Sequence, residues 1–267
     1  MENYLITKCI LCNINGLPYG SKDGFKLHLN SDNEPYKETR RYDYLKCPAC
    51  HLWWVSNPDK DYKKLYETKE YWWLYHKERK WDAVDEQPRI DNDLKYSTWR
   101  LPVIQQYCTV GTVLEIGSST GTMLKVLKDA GGYNPVGIEP CSEVASKAAE
   151  YSGCAVYGQV EPFIQGEWDM LLAFDVIEHL TNPIEEIKSW TSKLKTGKVF
   201  ICELPDAGCE GAMTHGVNWD LAIPMEHIYQ YQQRHIQTLL KGLGYQILEF
   251  SNPWSTERQR CIAKKIA

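Results

Sequence analysis

The sequence of 267 residues has an ordinary globular composition, with 43% hydrophobic and 24% charged residues, which excludes wholesale disorder. Its net charge of −5 and the absence of a basic block disfavour nonspecific binding to nucleic acids or anionic membranes. No apolar run approaches the roughly 20 residues that span a bilayer, and the first residues do not have the pattern of a signal peptide. We therefore expect a soluble, cytoplasmic protein.

Residues 1–56 predict a small zinc-binding β module. Four of the ten cysteines form two C-x2-C pairs, Cys9 with Cys12 and Cys47 with Cys50. A C-x2-C turn aims two thiolates at one point, and four thiolates are a usual tetrahedral ligand set for Zn²⁺. Because the protein would supply all four ligands, the site would be structural. Two redox pairs, and His51 as a competing ligand, are the alternatives.

Residues 57–107 are rich in aromatic and charged side chains and predict a helical linker or lid. The helical patterns cover 61–66, 71–81 and 94–107. The last of them is expected to be interrupted near Pro102. If the segment is a lid over a cofactor, Tyr71 or Trp72 is the expected contact.

From residue 108 onward, apolar strands alternate with helices. Strands are predicted within the first module at 42–46 and 52–55, and here at 112–116, 135–138, 155–157, 168–174, 199–202, 245–250 and 260–264. Helices are predicted at 120–130, 142–151 (capped by Ser142), 183–194 and 235–243. This alternation indicates an α/β domain, 108–267, with a doubly wound sheet of seven mostly parallel strands. The Gly-rich insert 208–216 is predicted to be a mobile loop covering the substrate.

The first strand of this domain ends in the pattern E-x-G-x-x-x-G, from Glu115 to Gly121. This pattern differs from the G-x-G-x-x-G of dinucleotide sites, because Glu115 would repel a pyrophosphate but tolerate a cationic ligand. Glu139 ends the second strand, where a carboxylate can accept hydrogen bonds from both hydroxyls of a ribose. The pattern therefore indicates an adenosine ligand with a cationic, zwitterionic tail.

Three motifs in this domain resemble the class I S-adenosylmethionine-dependent methyltransferases. They are Val113–Gly121, Gly137–Pro140 and Phe174–Leu180, the last containing D-V-I-E-H. The later Glu226-His227-Ile228-Tyr229, followed by a helix and Gly244-Tyr245, resembles the ending of one subgroup of the family. The cysteine pairs before such a domain resemble a subgroup that methylates sugars and other small molecules, including sugar C-methyltransferases. The resemblance implies a Rossmann-like fold, S-adenosylmethionine as cofactor and Zn²⁺ in the N-terminal module.

The resemblance also implies roles for individual residues. Gly117 and Gly121 would admit the amino-acid end of the cofactor, Glu139 would hold the ribose, and Gln159 would contact the adenine. Ser119 and Thr120 depart from the Gly or Cys that is frequent in the family. The complete implied cofactor set is Glu115, Gly117, Ser118, Ser119, Thr120, Gly121, Glu139, Pro140, Gln159, Phe174 and Asp175.

A general base is needed only if the methyl acceptor must lose a proton. The candidates are His179, His215, Glu226, His227 and Tyr229. We rank His227 with Glu226 first and His179 second, although both histidines have purely structural alternatives. A second metal is a further alternative, with the helical spacing of Asp175, Glu178 and His179 providing ligands and His227 completing the set.

The sequence thus predicts methyl transfer from S-adenosylmethionine to a small polar acceptor, for which a nucleotide-linked sugar or a natural-product intermediate is expected. Two alternatives remain open. One is an RNA or protein methyltransferase. The acidic charge of the core domain counts against RNA as the substrate. The other is a non-catalytic S-adenosylmethionine-binding scaffold that has kept the fold.

Overall fold

The computed structural model describes residues 5–29, 35–59, 66–67, 86–159 and 167–266. The helix predicted at 71–81, with Tyr71 and Trp72, lies outside the described residues, as does most of the helix predicted at 61–66. In the part of the chain that is described, no helix is long and apolar enough to cross a membrane.

The elements, in chain order, are as follows. The strands are β1 Leu17–Leu29, β2 Pro35–Lys46, β3 Trp53–Val55, β4 Gly111–Ile116, β5 Tyr133–Ile138, β6 Ala155–Tyr157, β7 Trp168–Phe174, β8 Leu194–Pro205, β9 Tyr229–Gln230, β10 Tyr245–Ser251 and β11 Arg258–Lys265. The α-helices are α1 Glu86–Tyr107, α2 Thr122–Ala130, α3 Ser142–Ser152, α4 Pro183–Thr191, α5 Glu210–His215 and α6 Gln233–Gly242. Short 3₁₀ turns span Ile177–His179 and Gly216–Asn218.

The chain divides into two compact units. The first unit comprises Met1–Tyr62, Phe174–Lys188 and Ile201–Ala267, and the second comprises Lys63–Ala173 and Ser189–Phe200. Each unit therefore contains segments that are distant in sequence. The three consecutive segments predicted from the sequence stay a prediction.

The larger sheet has seven strands in the order β10-β11-β8-β7-β4-β5-β6. Strands β4, β5, β6 and β7 pair in parallel, whereas β10 and β11 pair antiparallel. Residues 170–173 of β7 are completely buried, as expected of a central strand that is covered on both faces. The predicted α/β fold with a seven-stranded, mostly parallel sheet is confirmed.

The smaller sheet, of order β1-β2-β3-β9, is antiparallel and belongs to the first unit. Its hairpin of β1 and β2 is much longer than the strand predicted at 42–46. A buried cluster packs against this sheet and contains Tyr42, Tyr44, Trp53, Val55, Ala207, Cys209, Ala212, Trp219 and Ala222.

Four local predictions are wrong. Helix α1 continues through Pro102 without interruption. Ser142 is the first residue of α3 rather than its cap, which is Cys141 without a side-chain hydrogen bond. The helix predicted at 183–194 ends at Thr191, because β8 already begins at Leu194. The insert 208–216 contains α5, whose Ala212 is anchored in the buried cluster, so it is not a loop.

Candidate cofactor site, cysteine cluster and histidine cluster

The loop between β4 and α2 has an unusual backbone. Gly117, Ser119 and Gly121 have φ angles of 72°, 47° and 76°, in the left-handed region that non-glycine residues rarely adopt. Gly121 is also constrained by packing, because a Cβ there would lie 2.7 Å from the carbonyl oxygen of Ala148 in α3. The E-x-G-x-x-x-G pattern therefore forms a tight loop at the carboxyl end of a central strand, where open α/β sheets bind ligands.

Glu139 connects this loop to the end of β5. Its Oε2 accepts a hydrogen bond from the backbone N–H of Ser119 at 3.0 Å, and its Oε1 accepts one from Cys141 at 3.1 Å. Burial raises the pKa of Glu139 to about 7, although these two hydrogen bonds and the charge of Arg89 lower it. An ionised carboxylate can accept about four hydrogen bonds, so acceptor capacity remains for a ligand.

Glu115 is the buried carboxyl group of β4, with 4% of its surface exposed. Its Oε2 has no hydrogen-bond partner among the described residues. Burial raises the pKa of Glu115 to about 8, Arg100 lowers it, and Asp93 and Glu139 raise it further. Buried polar atoms without partners are uncommon, and at this position a ligand with a donor group would satisfy the oxygen.

Sequence reasoning missed the contribution of α1 to this loop. Arg89 donates a hydrogen bond to the hydroxyl of Ser119 at 2.9 Å. Asp93 accepts one from the hydroxyl of Thr120 at 2.9 Å and lies one helical turn from Arg89. The only signal in the sequence is this Arg/Asp pair at i, i+4, which is equally common on solvated helices.

The other predicted cofactor residues are less closely associated with the loop. Pro140 and Gln159 are exposed at the ends of β5 and β6, respectively. Phe174 and Asp175 belong to the first unit, where Phe174 is buried and Asp175 is ion-paired with Arg258. The roles implied for these four residues stay predictions. By contrast, Ser118 is buried inside the loop, and its hydroxyl has no partner among the described residues.

The structure brings the four predicted cysteine ligands together. The Sγ atoms of Cys9, Cys12, Cys47 and Cys50 all lie within 4.8 Å of one another, and those of Cys9 and Cys50 are 3.6 Å apart. Four sulfurs at about 2.3 Å from a tetrahedral Zn²⁺ would be roughly 3.8 Å apart, so the arrangement fits the metal. All four thiols are free of disulfides.

The two C-x2-C turns have the same backbone geometry. In the first, Cys9 N–H donates to the carbonyl of Ile14 and Asn13 N–H donates to the carbonyl of Cys9. In the second, Cys47 N–H donates to the carbonyl of Leu52, and His51 N–H donates to the carbonyl of Cys47. Asn13 and His51 have φ angles of 55° and 65°. His51 thus occupies the left-handed position of its turn, and the ligand cluster does not include it.

A second cluster in the first unit joins Glu178, His179 and His227, whose potential ligand atoms lie within 4.8 Å of one another. The two imidazole rings are 4.9 Å apart between centroids and nearly perpendicular. Glu178 is 1% exposed, and burial raises its pKa to about 8. The cluster brings together two of the predicted bases from segments that are distant in sequence.

The other three catalytic candidates, Glu226, His215 and Tyr229, are not members of this cluster. Glu226 is buried, and its backbone carbonyl oxygen is bonded to Nδ1 of His179 at 3.0 Å. His215 is exposed on α5, and Tyr229 is buried in β9. The predicted helical face of Asp175, Glu178 and His179 is wrong, because residues 177–179 form a single 3₁₀ turn and Asp175 is excluded from the cluster.

Comparisons with known proteins agree with this architecture. A family model described as a methyltransferase domain matches residues 88–249, which is more than half of the chain and begins inside α1. A search of curated protein sequences gave no match. The chain therefore belongs to the methyltransferase-domain family, and it is a class I S-adenosylmethionine-dependent methyltransferase by fold and family.

Several solved structures share the fold at low sequence identity. An S-adenosylmethionine-dependent methyltransferase of Clostridium acetobutylicum has a TM-score of 0.53 and 17% identity, over 73% of this chain and 100% of that chain. A possible histamine N-methyltransferase of Thermotoga maritima has a TM-score of 0.52 and 18% identity, over 68% and 95%. A chain from a complex of the Haloferax volcanii Trm112 methyltransferase activator with a methyltransferase has a TM-score of 0.54 and 14% identity, over 67% and 95%.

Proposed function

We propose that this protein transfers the methyl group of S-adenosylmethionine to a small polar acceptor, and that the loop from Gly117 to Gly121, with Glu115 and Glu139, binds the cofactor. The observation that carries the proposal is the pair of buried carboxyl groups beside a left-handed loop. Glu139 retains acceptor capacity for two ribose hydroxyls. Glu115 has an unpartnered oxygen that suits a cationic ligand.

When bound, S-adenosylmethionine would supply an electrophilic methyl group on a sulfonium, whose carbon the acceptor would attack in line as the carbon–sulfur bond breaks and S-adenosylhomocysteine leaves. The chain's own contribution is therefore alignment and exclusion of water rather than covalent chemistry. Gly121 permits the tight loop that approaches the ligand, and Ser118 lies buried beneath it with its hydroxyl available as a donor. Arg89 and Asp93 fix the loop's own hydroxyl groups from α1.

For an acceptor that must lose a proton, His227 and His179 are the proposed bases. The Nδ1 atom of each is bonded to a backbone carbonyl oxygen, Leu221 for His227 and Glu226 for His179. A carbonyl can only accept, so in the neutral ring the proton lies on Nδ1 and the lone pair on Nε2. Glu226, which the sequence analysis ranks together with His227, remains part of the proposed catalytic set. The acceptor class expected from the sequence, a nucleotide-linked sugar or a natural-product intermediate, is part of this proposal.

We further propose that the four cysteines hold a structural Zn²⁺. The close sulfurs and the two equivalent turns support this assignment. His235 of α6 adds a link to the site, because its Nε2 donates a hydrogen bond to the carbonyl of Cys50 at 2.9 Å. The metal would thereby stabilise the small sheet together with α6, without taking part in the reaction.

Substitution of Glu139 tests the cofactor assignment. We expect Glu139→Ala to weaken S-adenosylmethionine binding by about 1–3 kcal/mol, because two ligand hydroxyls lose their acceptor. Glu143→Ala, which removes the same charge from an exposed position on α3, is the matched control. Equal affinities of the two variants, measured by calorimetry, would refute the role of Glu139.

Transfer of an isotope-labelled methyl group tests the acceptor class. Pools of nucleotide-linked sugars, total RNA and denatured protein are incubated separately with labelled S-adenosylmethionine and the enzyme. We expect the label to appear in the small-molecule pool and to be lost when His227 is substituted. Label only in RNA or protein would overturn the proposed acceptor class, while binding of S-adenosylmethionine with no transfer to any pool would favour a scaffold.

A further inference from the structure

We propose that Glu178, His179 and His227 form a second metal site, which binds one divalent transition-metal cation. The three residues supply one carboxylate oxygen and two imidazole nitrogens, which all lie within 4.8 Å of one another. Ligands at about 2.1 Å from one ion are roughly 3–4 Å apart, so small side-chain rotations bring the set onto a single cation.

The histidines are already oriented as metal ligands. Nδ1 of His179 donates to the carbonyl oxygen of Glu226 at 3.0 Å, and Nδ1 of His227 donates to that of Leu221 at 2.6 Å. Histidines that bind metals usually donate their other ring N–H to a carbonyl or carboxylate oxygen, which fixes the tautomer. In the neutral rings both Nε2 atoms are therefore unprotonated, which is the state in which an imidazole binds a cation.

Glu178 is the observation that favours a cation over a simple pair of bases. The side chain is almost completely buried, and neither of its carboxyl oxygens has a hydrogen-bond partner among the described residues. Its backbone is fixed, because the carbonyl oxygen accepts a hydrogen bond from Ile228 at 2.8 Å. Its Oε1 lies 3.9 Å from Nε2 of His179, which is beyond hydrogen-bond distance. A buried carboxyl group without hydrogen bonds is costly, and a bound cation removes that cost. Two histidine bases alone would not require this carboxylate.

The ligand set also indicates the kind of ion and its use. Two imidazoles and one carboxylate suit first-row ions such as Zn²⁺, Fe²⁺ or Co²⁺, and three protein ligands leave positions open. The open positions would take oxygen atoms of the methyl acceptor and hold it in place. This use of the metal rests on the proposed function. In the metal-bound state the Nε2 atoms cannot accept a proton, so His179 and His227 would be ligands, and their proposed role as bases would be confined to the metal-free protein.

Titration of the zinc-loaded protein with Co²⁺ tests this site without cofactor or acceptor. Total zinc is measured first, and weakly held metal is then removed with citrate. We expect one saturable Co²⁺ per chain, with weak visible bands and without the intense thiolate-to-cobalt absorption of a cysteine site. Glu178→Gln and His227→Gln each remove a direct ligand and should weaken this binding at least as much as loss of an outer partner does, which is about 10–100-fold. His215→Gln, which changes an exposed histidine outside the cluster, should not.

Near-ultraviolet circular dichroism of each variant verifies folding, and His179→Gln replaces any variant that fails this check. Absence of saturable Co²⁺ binding to the folded protein would overturn the proposal. So would binding that shows only thiolate bands, or binding that is equal in the wild type and Glu178→Gln. Because no S-adenosylmethionine is present, each of these results is independent of whether methyl transfer occurs.

Discussion

Four non-glycine residues of the described chain have left-handed backbone, and each lies beside a candidate ligand site. Asn13 and His51 follow the two cysteine pairs, Ser119 lies in the cofactor loop, and Asp175 follows β7 next to the segment of Glu178. Such conformations cost free energy and persist where the surrounding structure imposes them, which happens often at functional sites. The sequence pattern did not reveal them, because none of the four is glycine.

Glu115 makes the stability of the ligand-free protein depend on pH. Its pKa is about 8 in the folded protein against an ordinary value of 4.5, so between these values the unfolded chain binds fewer protons. Stability therefore falls as pH rises from about 4.5 to 8. Glu115→Gln removes this contribution, and relative to wild type it should gain at least about 1 kcal/mol, or a few degrees in melting temperature, between pH 5 and pH 8.5.

Thermal unfolding of both proteins across this pH range measures the effect. The charged groups that act on Glu115 are Arg100, Asp93 and Glu139. They are present in both proteins, so the difference between wild type and variant reports Glu115 together with its coupling to these groups. A difference in melting temperature that does not change with pH would show that Glu115 is not a buried, neutral carboxyl group.

Gly121 should be intolerant of a side chain. In Gly121→Ala, the left-handed conformation alone costs about 1–2 kcal/mol, and the new Cβ would lie 2.7 Å from a backbone oxygen. We expect a lower melting temperature and weaker S-adenosylmethionine binding. Gly242→Ala is the control, because a Cβ there meets no atom within 4 Å beyond its own helix. Equal stability of the two variants would contradict the packing described for the loop.

At the scale of elements, the sequence predicted the parts of the fold that have strong apolar periodicity. The apolar strands β4 and β7 and helix α2 were found within two residues of their bounds. The β1–β2 hairpin was largely missed, because half of its length, such as residues 20–24, is polar or glycine and carries no apolar alternation. Helix α1 was found only in its second half, since its first turns are charged and do not form an apolar stripe.

The cysteine cluster provides a test of how one element is stabilised. Cys47→Ser should lose Zn²⁺, and its melting temperature should fall by more than about 5 °C, because structural zinc sites contribute binding energy directly to folding. Trp53 and Trp54 are buried next to the second turn, so their fluorescence should shift to the red. Metal analysis and emission spectra measure these effects.

Cys154→Ser is the matched control, because Cys154 is half-buried and lies outside the cluster. His51→Gly is a further control: it should retain zinc, since glycine suits the left-handed position and His51 is not among the ligands. Retention of zinc and of the native emission by Cys47→Ser would show that the four cysteines do not form a metal site.

At the scale of the whole molecule, sequence motifs were enough to predict the cofactor loop, whereas the histidine cluster depends on the folded topology. The E-x-G-x-x-x-G loop and Glu139 could be placed from the sequence, because parallel strands bring their carboxyl ends to one edge. The members of the histidine cluster could be suspected from the sequence but not placed together, since His179 and His227 are 48 positions apart and converge only through tertiary structure. The orientation of each imidazole depends on a backbone carbonyl that no spacing rule specifies.

The central claim is that the loop and its two carboxyl groups bind S-adenosylmethionine. Calorimetric titration of the folded, zinc-loaded protein with S-adenosylmethionine and S-adenosylhomocysteine, with NAD as the control ligand, tests it most directly. We predict binding of the first two at micromolar concentrations and no binding of NAD, because the loop lacks the G-x-G-x-x-G pattern of dinucleotide sites. Absence of binding by both adenosyl ligands, or equal binding of NAD, would contradict the account.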